Sequence, residues 1–392
     1  MTAQLCCMLV LACAALMLGG AGPTSAQIGV HANGSLALQA PEVLIDGVAF
    51  SALLARLDAA ERALREQCQP VADTTTIAGL AGEAKWYGGV LAAGRIYTAP
   101  ATDESVLVIS PESNLIDRIS LGASAAASGK WSGLVLAANG KLYGIPDNHE
   151  AVLVVDPATH AIDMTAMPGF TGGGKWFGGV LAPETGKIYA VAHNRDSVLI
   201  IDPATNTTDA STLMVGAASG KWVGGVLAGN GKIYCIPWDA PAVLIVDPRT
   251  NATDTTTLAG FATAGNMWYG GALARSGRIY AVPYMADAVL IIEPATNTTD
   301  TTSITGLTGK DKWRGAVLAA SGKIFAMAYS SPSMLIIDPA TDTADTTTLS
   351  GLGTNSGGKW AGGVLTSSGL YAIPVHASSV LIVRCVSSGS LG

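Results

Sequence analysis

Apolar stretches only a few residues long, separated by glycine or polar turns, recur along most of this chain. The segment from 221 to 258 shows the pattern. KWVGGVLA is followed by Gly229-Asn230-Gly231, then KIYCIP, then AVLIV, then the polar run DPRTNATD, then TTTL. The first two apolar pieces predict strands joined by a tight turn, the second ending where Pro237 removes a ladder donor. AVLIV is apolar on consecutive positions, which predicts a strand covered on both faces. In DPRTNATD, Asp247 is suited to capping backbone N–H groups and Pro248 fixes φ, so a turn is predicted there. TTTL, rich in β-branched residues, is taken as a fourth strand.

This unit repeats. Lys-Trp-x-Gly-Gly-Val-Leu or a close variant recurs with its tryptophan at 86, 131, 176, 222, 268, 313 and 360, so successive spacings are 45, 45, 46, 46, 45 and 47. A period of this size with four short strands and no helical periodicity marks a β-propeller blade. The paired glycines after each tryptophan fit the innermost strand, where blades converge and side chains have least room. Each tryptophan is assigned to packing between blades, with ligand stacking as the alternative. The fold class is therefore all-β, a seven-bladed β-propeller of four-stranded blades over 68–386, with a short N-terminal helix and a tail at 387–392.

The last repeat stops after its third strand, while a spare fourth strand, Asp73–Ile77, precedes the first tryptophan and matches Asp254–Leu258. Donating it to the last blade closes the ring and leaves no open edge. In this register Cys385 falls at the place of Pro248 and Cys68 at that of Arg249, consecutive positions of an intact repeat. A Cys68–Cys385 disulfide is expected to replace the missing peptide link there. Cys235 is left over as a buried, small apolar residue.

Residues 1–26 read as an export signal: Leu5 to Leu18 is apolar and Thr24-Ser25-Ala26 offers small residues for cleavage. Cys6, Cys7 and Cys13 leave with it. The n-region carries no Lys or Arg. The alternatives are an anchoring helix, for which the stretch is short, and an organelle address. Residues 27–48 show no strong pattern and are read as a linker. From 49 to 67 the pattern turns helical, with Phe50, Leu53, Leu57, Ala60, Leu64 and Gln67 in heptad register. Two readings stay open: a short coiled coil through which chains self-associate, or one helix packed on the propeller rim.

Composition narrows the partners. Glycine numbers 47, against about 27 at the usual ~7%. Charged residues are 13% and net charge is −7, with no basic run, which excludes a nucleic-acid partner held by phosphate contacts. Past the signal no apolar run is long enough to span a membrane as a helix. Asn33, Asn206, Asn251 and Asn297 open Asn-x-Ser/Thr sequons, so a secreted or cell-surface glycoprotein is expected.

Two rings of positions converge on the loop face. One precedes the tryptophans: Lys85, Lys130, Lys175, Lys221, Lys312 and Lys359, with Met267 breaking the series. Such a ring would concentrate an anionic ligand, or else its stems would cover the tryptophans with solvated amines. The other ring follows the end of the second strand and varies between repeats: Asp147, Asn148, His149, His193, Asn194, Arg195, Trp238, Asp239, Tyr284, Tyr329 and His376. Variable residues on a constant scaffold are how repeat folds build a specific face. Drift in surface loops is the alternative. Histidine is the usual neutral-pH base and metal ligand, but His149, His193 and His376 lie on different repeats without regular carboxylate partners. No nucleophile elbow, Walker loop, Cys-x-x-Cys or His-Glu-x-x-His occurs. No metal and no cofactor are expected.

The repeats resemble the broad class of Kelch-, YVTN- and NHL-like propellers, and VLIIDPATNTTD resembles the third-strand and turn unit of YVTN surface repeats. The chain departs from Kelch in placing the glycine pair after the tryptophan within the first strand, and from WD40 in lacking a strand-final Trp-Asp. The resemblance implies an extracellular binding module whose partner is a glycan, another small polar or anionic molecule, or a protein. A secreted metal-dependent hydrolase or lactonase-like propeller is the alternative, so catalysis is left open.

Overall fold

The computed structural model describes residues 69–386, apart from 123–127, 264 and 355–356, together with four short N-terminal strands. The chain divides into two units, 1–66 and 67–392. The larger is a seven-bladed β-propeller, each blade a four-stranded antiparallel sheet. Blades are numbered here by their tryptophans, Trp86 in blade 1 to Trp360 in blade 7. In blade 4 the strands are Trp222–Leu227, Ile233–Pro237, Leu244–Asp247 and Ala252–Asp254, paired in chain order. The second and third strands are buried along their length except for the terminal Asp247, because neighbouring blades cover both faces.

The fourth strand differs from the sequence reading. It ends at Asp254 and does not include TTTL. The Asp254 carboxylate accepts the N–H groups of Thr256 (2.7 Å) and Thr257 (3.0 Å), and this local capping takes the threonines out of the ladder. Asp209, Asp300 and Asp345 cap the corresponding turns, and the hydroxyl and N–H donors hold each carboxyl down at about 2.

Closure follows the predicted register with the same shift. The strand that completes blade 7 is Gln69–Asp73, not Asp73–Ile77, and it pairs with Leu381–Val386 from Ile382↔Asp73 to Val386↔Gln69. Asp73 ends the strand by capping Thr75 and Thr76 and takes an ion pair from Arg384 at 2.9 Å. Tyr371 of blade 7 spans the seam, its hydroxyl donating to Pro111 O of blade 1 at 2.9 Å.

The seven repeat tryptophans are each at most 3% exposed, and each indole N–H donates to a backbone carbonyl, as Trp222 does to Ala242 O at 2.7 Å. They are wedges in the blade frame, as the packing reading required.

Within each first strand the pairing slips by one residue between the tryptophan and the third residue after it. This β-bulge bends the strand and re-aims the residue after the tryptophan. The next residue is glycine in every blade, and around the ring these glycines meet their counterparts. A Cβ built on Gly224 would lie 3.1 Å from Gly270 Cα, and one on Gly362 would lie 2.8 Å from Gly88 Cα.

In the N-terminal unit, Gln27–Val30 pairs with Leu36–Gln39 and Leu44–Ile45 with Val48–Ala49. The stretch read as a patternless linker thus holds two small hairpins, whose strands of two to four residues are too short to register as a period-two pattern. Ala49, assigned to the start of a helix, is in a strand. Residues 1–26 and 50–67, with the export signal and the heptad segment, lie outside the described residues. Among the described residues there is no helix.

Candidate functional site at the axial face

The residue before each tryptophan and the residues after the second strand lie on one face, because the two strands are antiparallel. Backbone bonds tie them into a ring: Lys221 N–H donates to His193 O of the preceding blade at 3.0 Å, and the same bond occurs at all seven seams, Met267 included.

The six lysines are not a basic rim. They are 0–5% exposed. Lys85 Nζ donates to Gly82 O, Val375 O and Ala377 O at 2.8–3.0 Å. Lys312 donates to Tyr284 O, Ala286 O and Gly309 O at 2.8–3.1 Å. Lys221 donates to His193 O, Arg195 O and Ala218 O, Lys359 to Tyr329 O and Ser331 O, Lys130 to Thr102 O and Lys175 to Gly172 O. Each ammonium is spent on carbonyls that line a seam between blades, so it is neither solvated nor offered to an anion. Repetition pointed to the lysines; their burial could not be read from a charged residue type. Burial pulls all six below the usual lysine range, Lys175 and Lys359 to about 8.

The variable ring separates by position. Third positions cover tryptophans: His149 stacks on Trp131 with centroids 4.3 Å apart, and the Arg195 guanidinium lies 5.6 Å from the Trp176 ring. Second positions clip neighbouring loops. Asn148 and Asn194 accept from Gly174 N–H and Gly220 N–H at 2.8 Å, Asp239 accepts from Asn266 N–H, and His376 Nδ1 accepts from Ala84 N–H at 3.4 Å. First positions His193, Trp238, Tyr284 and Tyr329 join the axial cluster, and Asp147 is buried at the equivalent place of blade 2.

Sequence reading missed the other half of that cluster, the bulged residue of Lys-Trp-x-Gly. It is Tyr87, Ser132, Phe177, Val223, Tyr269, Arg314 and Ala361 in blades 1 to 7. The signal was available, since x varies inside an otherwise constant motif. These side chains reach across non-adjacent blades. Tyr87 and Phe177 have centroids 6.0 Å apart, and Phe177 and Tyr269 5.7 Å. Trp238 meets Tyr269 at 5.4 Å and Tyr284 at 4.9 Å, and Tyr284 meets Tyr329 at 6.0 Å. His193 touches the edge of this floor through Phe177 at 5.8 Å.

Arg314 lies in the aromatic floor. Its guanidinium is 3.7 Å from the Tyr329 ring centre and under 5 Å from those of Tyr269 and Tyr284, and it donates to Tyr284 Oη at 2.9 Å. Cation–π contact partly replaces the water it has lost. Three buried side-chain polar atoms lack a hydrogen-bond partner among the described residues: Asp147 Oδ1, Arg314 Nε and Ser330 Oγ. All three belong to this face, Ser330 being the second-position residue of blade 6. Buried polar atoms are paired almost everywhere in folded proteins, so three orphans on one face need a reason.

Burial pushes the Asp147 carboxyl up to about 7, against the pull of Lys175. The native state therefore holds this proton more tightly than the unfolded chain between about pH 4 and 7. The group's contribution is fully present below that window and is lost as pH rises through it. Asp147→Asn, which does not titrate, should gain in melting temperature over the native protein as pH rises from 4 to 8; a gap that stays constant would refute the buried-carboxyl assignment.

The histidines do not converge. His149 Nδ1 accepts Ala151 N–H at 3.1 Å, and His193 Nδ1 donates to Trp222 O at 3.2 Å. Burial holds His149, His193 and His376 below the usual histidine range. Among the described residues no three His, Cys, Asp or Glu side chains form a group able to hold a metal.

A seven-bladed propeller with an aromatic axial face is the class that fold and site define. No family model matches the chain, and no curated protein matches it. Solved structures do. A streptogramin B lyase superposes with a TM-score of 0.65 at 11% identity, over 81% of this chain and 98% of that one. The extracellular domain of a one component system from B. thetaiotaomicron gives 0.57 at 9%, over 80% of this chain and 43% of that one. An auxiliary nutrient binding protein from Bacteroides ovatus gives 0.50 at 11%, over 81% and 77%. At such identities the likeness establishes the propeller fold alone.

Proposed function

We propose that this chain is an extracellular binding module that takes a small polar ligand at the axial face. The observation that carries the reading is an aromatic floor that holds Arg314 with an unpaired Nε, on the same face as the other two orphaned buried polar atoms found among the described residues, Asp147 Oδ1 and Ser330 Oγ. Apolar surface with a few convergent polar groups is the usual composition of a small-molecule site. That some structural neighbours are an extracellular domain and a nutrient binding protein supports the placement. The test is capture of free sugars, a glycan array and free amino acids by the secreted domain and by its Trp238→Ala variant. Wild-type capture lost in the variant, with melting shifted by only a few degrees, is the expected result. Equal capture by both would remove the axial face from the reading.

We also propose export and a Cys68–Cys385 disulfide. Cys68 lies outside the described residues. Support comes from the ladder bringing Cys385 opposite Pro70 and Val386 opposite Gln69, and from Cys235 being a buried free thiol whose ionisation burial opposes. The bond would close a loop of more than 300 residues, so Cys385→Ser should lose at least about 2 kcal/mol in denaturant unfolding. A variant as stable as the parent would refute the clasp. Asn206, Asn251 and Asn297 stand exposed at left-handed turn positions, φ 51–55°, where an N-linked glycan has room.

A further inference from the structure

We infer that the ligand of the axial face is a ring-bearing monocarboxylate, its carboxylate held by Arg314 and its flat body laid on the aromatic floor. The inference rests on the binding-module reading above and names the ligand class. It starts from an unfinished hydrogen-bond account. A guanidinium carries five N–H donors. Among the described residues Arg314 makes one hydrogen bond, from Nη2 to Tyr284 Oη at 2.9 Å, and enters no ion pair. Its Nε is enclosed without an acceptor. Arg278 and Arg384, half-buried like it, each hold a carboxylate: Arg278 takes both oxygens of Asp342 at 2.8 and 2.9 Å, and Arg384 takes Asp73 at 2.9 Å. What surrounds Arg314 instead is aromatic. The rings of Tyr329, Tyr269 and Tyr284 lie 3.7, 4.7 and 4.9 Å from its guanidinium carbon. The floor runs on from there by direct contact, Tyr269 meeting Trp238 at 5.4 Å and Phe177 at 5.7 Å, and Phe177 meeting Tyr87 at 6.0 Å. Arg314, Tyr87, Phe177, Trp238 and Tyr269 are half-buried, so guanidinium and floor are both reached from solvent.

A charge withdrawn from water without a partner is costly, and cation–π contact offsets only part of that cost. A carboxylate supplies the rest. It is planar and matches the guanidinium fork with two parallel charge-assisted bonds. One negative charge is what the face can hold. Its six lysines are spent on seam carbonyls, so a doubly charged phosphate would bring a second charge with no free cation among them to meet it. A neutral sugar would lie on the floor and leave the guanidinium uncompensated. A cation would stack on the rings and be repelled by Arg314. The flat body follows from the floor, since a ring laid on Trp238 and Tyr269 gains contact area that a small acid such as acetate lacks.

The experiment titrates the full chain calorimetrically with five ring acids, each beside its uncharged counterpart. Benzoate, phenylacetate and indole-3-acetate are set against their amides and test an aromatic body. D-Glucuronate and D-galacturonate are set against D-glucose and D-galactose and test a sugar body. The expected result is that at least one acid binds, at least tenfold more tightly than its counterpart. Arg314→Gln should bring that acid down to the affinity of its counterpart. If the variant does not fold, the matched pairs on the wild-type protein still decide the matter. No binding of any acid at millimolar concentration, equal binding of acid and counterpart, or a preference that survives Arg314→Gln overturns the inference. Capture of a neutral sugar that Trp238→Ala abolishes, with no preference for the acid, would overturn it while leaving the binding module standing.

Discussion

Lys221→Met is expected to cost the propeller about 2–4 kcal/mol in denaturant unfolding, a large loss for one conservative change in volume. The estimate follows from what the ammonium does. Its three acceptors come from two loops, His193 O and Arg195 O from blade 3 and Ala218 O from the approach to blade 4. His193 O keeps the Lys221 backbone N–H; the other two carbonyls lose the ammonium donor in the seam. Leaving these part-buried acceptors without their charged donor costs up to about 1–3 kcal/mol each, partly offset because an ammonium no longer has to be desolvated. Methionine is the right replacement because the chain itself places Met267 at this position in blade 5, where it packs against the core. The control is Lys232→Met. That amine is exposed, 3.9 Å from Asp247, and its loss should change stability by under about 0.5 kcal/mol. Equal effects at 221 and 232 would show that the buried lysines are not seam clasps.

Gly362→Ala should cost about 3–5 kcal/mol, and Gly88→Ala only about 1–2. Both glycines sit at φ +69° on the innermost strand, so both substitutions incur left-handed strain. They differ in space. A Cβ on Gly362 would come within 2.8 Å of Gly88 Cα, a backbone atom that cannot move aside, whereas one on Gly88 meets nothing within 4 Å. Each added Cβ points to the next glycine around the ring, and at Gly88 alone that neighbour lies beyond 4 Å. Urea titration of the two variants reads the comparison directly; equal losses would mean that backbone strain, and not the close approach of blades, explains the glycine ring.

Parts of the site were legible and parts were not, for identifiable reasons. Trp238, Tyr284, Tyr329, His193 and Asp147 were singled out because they vary in a fixed loop, and the first four make ring contacts with one another or with Phe177 and Tyr269. Asn148, Asn194 and Asp239 vary in the same loop but serve as clips, because a side chain one residue along a turn points elsewhere. Arg314 and Tyr269 were hidden inside a motif that looked wholly structural. Only the bulge, which turns that residue toward the axis, gives them a role. TTTL was misread because β-branched composition says nothing about an aspartate just upstream that competes for the same N–H groups.

By itself the sequence determined the blade count, the number of strands per blade, the assignment of the tryptophans to the frame and the register in which the chain ends join. These follow from period, turn chemistry and pairing, which are local and repeated seven times. Tertiary structure alone decided which side chains face the axis, that six lysines are buried on carbonyls, and that Arg314, within an aromatic floor, and Asp147 are left with unsatisfied atoms. Those outcomes depend on contacts between residues far apart in the chain, on blades that become neighbours only when the ring has closed.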